Sequence, residues 1–143
     1  MRIESKRIER EFQLTTDPLG EAYVTIRQVK FGEAVRRAEM QARRRQIIRN
    51  EDQGEMVIEQ DWNHLKVMAN EIILTLTGAR GFATDDKGTE LLRFKEKDGL
   101  SRLDMEDNDF YKALGSLDEK VVEEIHGFVK EMNPQWDPSA KGE

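Results

Sequence analysis

The chain contains no cysteine. That absence removes disulfide frameworks, thiolate metal centres and thiol nucleophiles together, and it fits a reducing compartment. Nor is there a glycine-rich phosphate loop or a recognisable Ser–His–Asp spacing, so the sequence predicts no catalytic and no cofactor-binding residues. No apolar run approaches the roughly 20 residues needed to span a bilayer. The opening "MRIESKRIER" lacks the apolar centre of a secretory signal, which predicts a soluble, non-secreted protein. What the chain has in abundance is charge. Of its 143 residues, 36 % are charged, and the formal net charge is −6. An acidic total disfavours a general nucleic-acid binder, although a local basic face remains compatible with it. The length is that of one domain with a modest core.

Two alternating stretches come first. "REFQL" sets Phe12 and Leu14 on one face, and "AYVTIRQ" does the same with Val24 and Ile26. Between them Asp17, Pro18 and Gly20 occupy the first, second and fourth positions of a type I turn. The spacing predicts an antiparallel hairpin over 8–29, marginal alone and therefore packed on helices. From Phe31 the period becomes helical, and a helix is predicted over about 31–50. Phe31, Ala34, Val35, Ala38 and Ala42 form its narrow apolar stripe, with Ile47 and Ile48 further on. "MVIEQDW" is either a short extended piece or the lead-in to the next helix, over about 62–77. There Leu65, Met68, Ala69, Ile72, Ile73 and Leu76 are spaced for one buried face, and Gly78 is placed to end the helix. A small second hairpin pairs 81–84 with 91–95, and "KEKDG" reads as a turn. A short helix follows over 107–114, and Ser116 with Glu119 forms a capping box for a last helix over 117–133. Pro134 and Pro138 stop that helix, leaving 134–143 as a flexible tail. The fold class is α+β: an N-terminal hairpin on three to four helices in a single domain over 1–133. Leu65, Ile72, Leu76, Val122, Ile125 and Phe128 are the expected core, with Val24 and Ile26 across them.

Three constellations invite a functional reading. Arg36, Arg37, Arg43, Arg44, Arg45 and Arg49 lie off the apolar stripe of the first long helix. No aromatic residues interleave with them for base stacking, and no helix-turn-helix surrounds them. A solvated face is the first reading, a docking surface for an acidic protein the second, and phosphate binding the third. Metal is the next temptation. Glu123 with His126, and Asp61 with His64, have the carboxylate–histidine spacing of di-iron bundles, yet four long helices with two further carboxylates are missing. "DMEDND" at 104–109 resembles a calcium loop but has Asp109 where glycine is required and Gly115 where glutamate is required. No metal ligands are therefore assigned. Last, Trp136 sits between prolines, either folded back over the core or inserted into a partner.

A hairpin ending in "VTIRQVKFGEAVRRAE", a helix ending in "LTLTG" and a closing "EEIHGFVKEMNPQW" resemble, over roughly residues 8–136, the tail assembly chaperones of long-tailed, siphovirus-like bacteriophages. The resemblance implies a non-enzymatic protein of the infected host's cytoplasm. Such chaperones bind and solubilise the tape measure protein, recruit tail tube subunits around it and leave before the tail is finished. The family has no catalytic or cofactor residues to carry over. Exposed character then selects Arg36, Arg37, Arg43, Arg44, Arg45 and Trp136 as expected contact residues, with self-association as a further expectation. Two other readings stand behind it: a structural virion protein, such as a tail or head–tail adaptor, and a nucleic-acid-associated regulator using the arginine helix.

Overall fold

The computed structural model of the protein describes residues 7–42, 45–50, 54–59, 64–83 and 87–136. Strands β1 (Glu9–Gln13) and β2 (Tyr23–Arg27) form the expected antiparallel hairpin, with Phe12 opposite Val24. Its turn closes as the sequence predicts, the Gly20 N–H donating to the Asp17 carbonyl at 3.1 Å while Gly20 takes a φ of +66°. The Asp17 carboxylate accepts from the backbone N–H groups of Glu21, Leu19 and Ala22 at 2.7, 3.1 and 2.9 Å. Those bonds, that from Glu21 foremost, hold its pKa below the usual carboxylate value.

Helix α1 (Phe31–Ala42) ends well before the predicted Asn50. Arg45–Asn50 is instead strand β3, paired antiparallel with β4 (Gly54–Glu59) so that Ile47 lies opposite Val57 and Ile48 opposite Met56. Two β-branched residues in β3, and Val57 and Ile58 in β4, favour the pleated form, and residues 51–53 between the strands lie outside the described residues. Helix α2 (His64–Thr75) also stops short, and the chain passes directly into β5 (Leu76–Arg80). The Thr75 hydroxyl donates to the Glu71 carbonyl at 2.7 Å and closes the last turn. From Leu76 onward the backbone satisfies the open edge of β2, which becomes the middle strand of a sheet ordered β1-β2-β5. Gly78 is therefore a strand residue lying close to Thr25, and not a helix cap: a Cβ there would stand 3.3 Å from the Thr25 hydroxyl.

The second hairpin is displaced from its expected place. Of the expected 81–84 and 91–95 pairing, the described residues keep a bridge between Ala83 and Glu90 and the Leu91 N–H donating to the Phe82 carbonyl at 2.8 Å. Strands β6 (Phe94–Lys97) and β7 (Leu100–Leu103) instead pair across Asp98 and Gly99, with φ values of 56° and 76°. Asp-Gly at consecutive left-handed positions is the favoured two-residue hairpin loop, and its twist decides the register. Helices α3 (Asp107–Gly115) and α4 (Glu119–Met132) follow. Asp118, not Ser116, caps α4 by accepting from the Lys120 N–H at 2.9 Å. Ser116 instead turns its hydroxyl back to the Ala113 carbonyl at the end of α3.

The core lies between the three-stranded sheet and α2, α3 and α4. Val24, Ile26, Ile72, Leu76 and Ile125 are buried as expected, while Val122 and Phe128 are only partly covered. Leu65 belongs to α2, but its side chain lies outside the described residues. Phe12 stacks on Phe128, with ring centroids 4.4 Å apart, fastening the hairpin to α4. Leu14, Phe110 and Leu92 complete the interior.

A single 3-10 turn, Pro134–Trp136, follows α4, and Trp136 is only 6 % exposed. The expected flexible tail thus does not begin at residue 134, and 137–143 lie outside the described residues. Asn133 makes the difference. Buried, it accepts from the Val29 N–H at 2.8 Å and donates to the Arg27 and Val129 carbonyls, both at 3.1 Å.

A carboxylate secures the β1–β2 loop to α4. Glu124 accepts from the backbone N–H groups of Thr15 and Thr16 at 3.1 and 3.0 Å, and from both hydroxyls. Burial acts to raise its pKa, but these four bonds outweigh burial and leave the pKa below its usual 4.5. A carboxylate whose folded pKa is depressed contributes stability above its unfolded pKa and loses it as pH falls through the folded one. Urea midpoints should therefore decline below about pH 5, and Glu124→Gln should be less stable near neutrality and shallower in that decline. Equal acid slopes for the two proteins would remove Glu124 from this role.

Candidate protein-docking surface

Helix α1 is inverted relative to an ordinary surface helix. Much of its apolar stripe faces outward: Phe31 is 84 % exposed, Val35 is 40 % exposed and Ala38 is exposed beside them, while Ala34 is half-buried and the Ala42 side chain lies outside the described residues. Phe31 and Val35 are four residues apart and so share one face. The partly buried side carries Glu33, Arg37 and Met40. Charge fixed elsewhere decides this orientation. Arg27, at the end of β2, donates to the Leu74 carbonyl at 2.8 Å and to the Glu33 carboxylate, drawing Glu33 inward. Burial works to raise the Glu33 pKa, but the Arg27 bond and charge prevail, so that the carboxylate titrates below its usual range.

Arg37 is likewise half-buried and turned inward. Its Nε lies 3.7 Å from a Glu71 carboxylate oxygen, and its guanidinium stacks 4.9 Å from the Trp136 ring centroid. Glu71, 2 % exposed on α2, also stands 3.5 Å from His126 Nε2 of α4. Arg37 and Trp136, both expected at a partner contact, therefore belong to one internal cluster joining α1, α2, α4 and the final turn. His126, of the first carboxylate–histidine pair, thus faces Glu71. Asp61 of the other carboxylate–histidine pair lies outside the described residues. Among the described residues no group of three or more His, Asp or Glu side chains is placed to hold a metal ion.

Arg36 has a different setting. It stands 54 % exposed at the mouth of a polar cavity of about 370 Å³, shared with Arg7, Arg27, Arg102, Glu33 and Asp107. Asp107 is its ion-pair partner at 3.8 Å, beyond direct hydrogen-bond reach. Arg43 and Arg44 lie outside the described residues. Arg45 opens β3 opposite Glu59, so it is a strand residue and not part of an arginine helix. A second hollow, about 530 Å³ and mostly apolar, opens between α2, α3 and α4 over Ala69, Tyr111, Leu114, Leu117 and Val122.

Sequence reasoning missed the inversion of α1, the Glu71 cluster and the arginine-lined cavity. Only Glu71 carried a signal. It is the charged residue between Met68, Ile72 and Ile73 in the chain's most apolar helix, where an ionised group needs a partner.

Comparison with protein-family models, with curated proteins and with solved structures yields no match for this chain. Among the described residues no helix is long and apolar enough to cross a membrane.

Proposed function

We propose that this protein is a non-enzymatic tail assembly chaperone of a long-tailed bacteriophage, which binds the tape measure protein in the host cytoplasm, keeps it soluble and helps recruit tail tube subunits. The reading rests on the resemblance across residues 8–136, and the observation that carries it further is the solvent-facing stripe of α1. A large aromatic residue left 84 % exposed beside Val35 and Ala38 is a ready anchor for an apolar helix face. Exposed charge around that stripe, from Arg36 and Glu39, suits a contact that must later be released. The acidic total and the inward commitment of Arg37 both weigh against a nucleic-acid-binding arginine helix.

Co-expression with the tape measure protein of the same phage should turn that partner from aggregates into a soluble complex, carrying several copies of this protein. Phe31→Ser should abolish the complex while leaving the melting temperature unchanged, because Phe31 is almost fully in water. A tape measure protein that stays insoluble beside abundant folded protein would refute the proposal. Recovery of the chain from purified mature particles would move the structural-component reading to first place.

A further inference from the structure

We infer that the arginine-lined cavity beside α1 is a carboxylate-binding site, taking an aspartate or glutamate side chain from a protein partner. Four arginines line it against two carboxylates, Glu33 and Asp107. The arginines divide into two kinds. Arg7 and Arg27 are walls: Arg7 donates to the Ser101 carbonyl at 2.7 Å, Arg27 is held by Leu74 and Glu33, and their side chains are only 13 % and 20 % exposed. Arg36 and Arg102 are exposed and have donors to spare. Among the described residues the Arg36 guanidinium has only the long approach to Asp107, and the Arg102 side chain makes no ion pair or hydrogen bond. Each guanidinium presents five N–H donors in a fork that matches a carboxylate, so an entering carboxylate finds two open forks, Arg36 and Arg102, beside two walls whose own charge is matched by Glu9 and Glu33. Leu74 and Leu76, both buried, lie among its lining residues, and the Leu74 carbonyl fixes Arg27.

The same surroundings choose between a carboxylate and a nucleic-acid backbone. Asp104, Glu106, Asp107 and Asp109 lie in sequence at the start of α3, next to the mouth that Asp107 lines. A continuous chain of phosphates entering there would run across these acids. A single carboxylate on a side chain meets only the two acids that line the cavity, Glu33 and Asp107, of which Glu33 is already held by Arg27. The inference rests on α1 as a docking face only for the source of that carboxylate; the site itself stands on the cavity.

A blocked Glu–Ala helical peptide, its Gln–Ala counterpart and a single-stranded DNA oligonucleotide serve as probes, followed by amide NMR shifts on the whole chain and by anisotropy. The Glu–Ala peptide should bind and shift residues around Arg36 and Arg102, whereas the Gln–Ala peptide should not. Arg36→Gln with Arg102→Gln should weaken binding by about tenfold or more, with no loss of melting temperature because both side chains are exposed. Equal binding of the two peptides, or unchanged affinity in the double variant, overturns the site. Binding of DNA through the same two arginines overturns the choice of ligand. Peptide binding with an insoluble tape measure protein leaves the site standing and removes the chaperone proposal.

Discussion

Ile125→Ala should lower the unfolding free energy by about 2–5 kcal/mol, and Ile72→Ala by a comparable amount. Both side chains are fully buried, Ile72 on α2 and Ile125 on α4, within the one core that also holds Val24 and Ile26. Truncation removes apolar contact from both helices and leaves a void that the sheet cannot fill by moving, because β2 is held on both edges. A domain of this size has a net stability of only about 5–15 kcal/mol, so either change takes a large share. Urea midpoints equal to the parent's would place the core elsewhere.

Gly81→Ala should be as damaging, by a different route. A Cβ at Gly81 would lie 2.1 Å from the Glu21 carbonyl oxygen and 2.9 Å from the Ala22 Cα, and the residue's φ is +85°. Both obstacles are backbone, immediately before β2, so no side chain can rotate away. The chain must either lift β5 from β2 at the Tyr23–Arg80 pair or hold a strained alanine. We expect a loss of about 3 kcal/mol or more, combining left-handed strain with a broken ladder. Gly127→Ala is the matched control. It lies inside α4 with nothing within 4 Å of its Cβ position, and there alanine should stabilise by about 0.5–1 kcal/mol. A Gly81→Ala protein that melts with the parent would show that the two strands do not approach this closely.

Periodicity made the first hairpin, α3, α4 and the body of α2 legible, because each carries a repeat that only one secondary structure satisfies. It failed where two structures share a pattern. "LTLTG" continues the helical spacing of α2, and only the vacant edge of β2 turns it into β5. Periodicity also identifies a helix at Phe31 without saying which side faces in. Arg27 and Glu71 settle that, and their positions beside α1 are properties of the assembled fold. The arginines shared that limit. Read along the chain they form one basic run, yet Arg37 lies against Glu71 and Trp136 while Arg36 opens on a cavity. Trp136 is a core residue because Asn133 bends the chain back, so trimming after Asn133 should cost the fold as well as any complex.

The strand order β1-β2-β5 has a consequence for synthesis. β1 and β2 leave the ribosome together, but α1, β3, β4 and α2 are all translated before the strand that completes their sheet. At roughly 5–20 residues per second, the second edge of β2 waits on the order of 3–10 s for Leu76–Arg80 to arrive. Throughout that interval the nascent hairpin presents unpaired backbone groups and an uncovered Val24 and Ile26, and α4, which covers them, is made later still. On a crowded polysome the neighbouring chains expose the same edge at the same time. The rate of elongation between β2 and β5 therefore sets how much of the newly made protein closes its own sheet before it meets another copy.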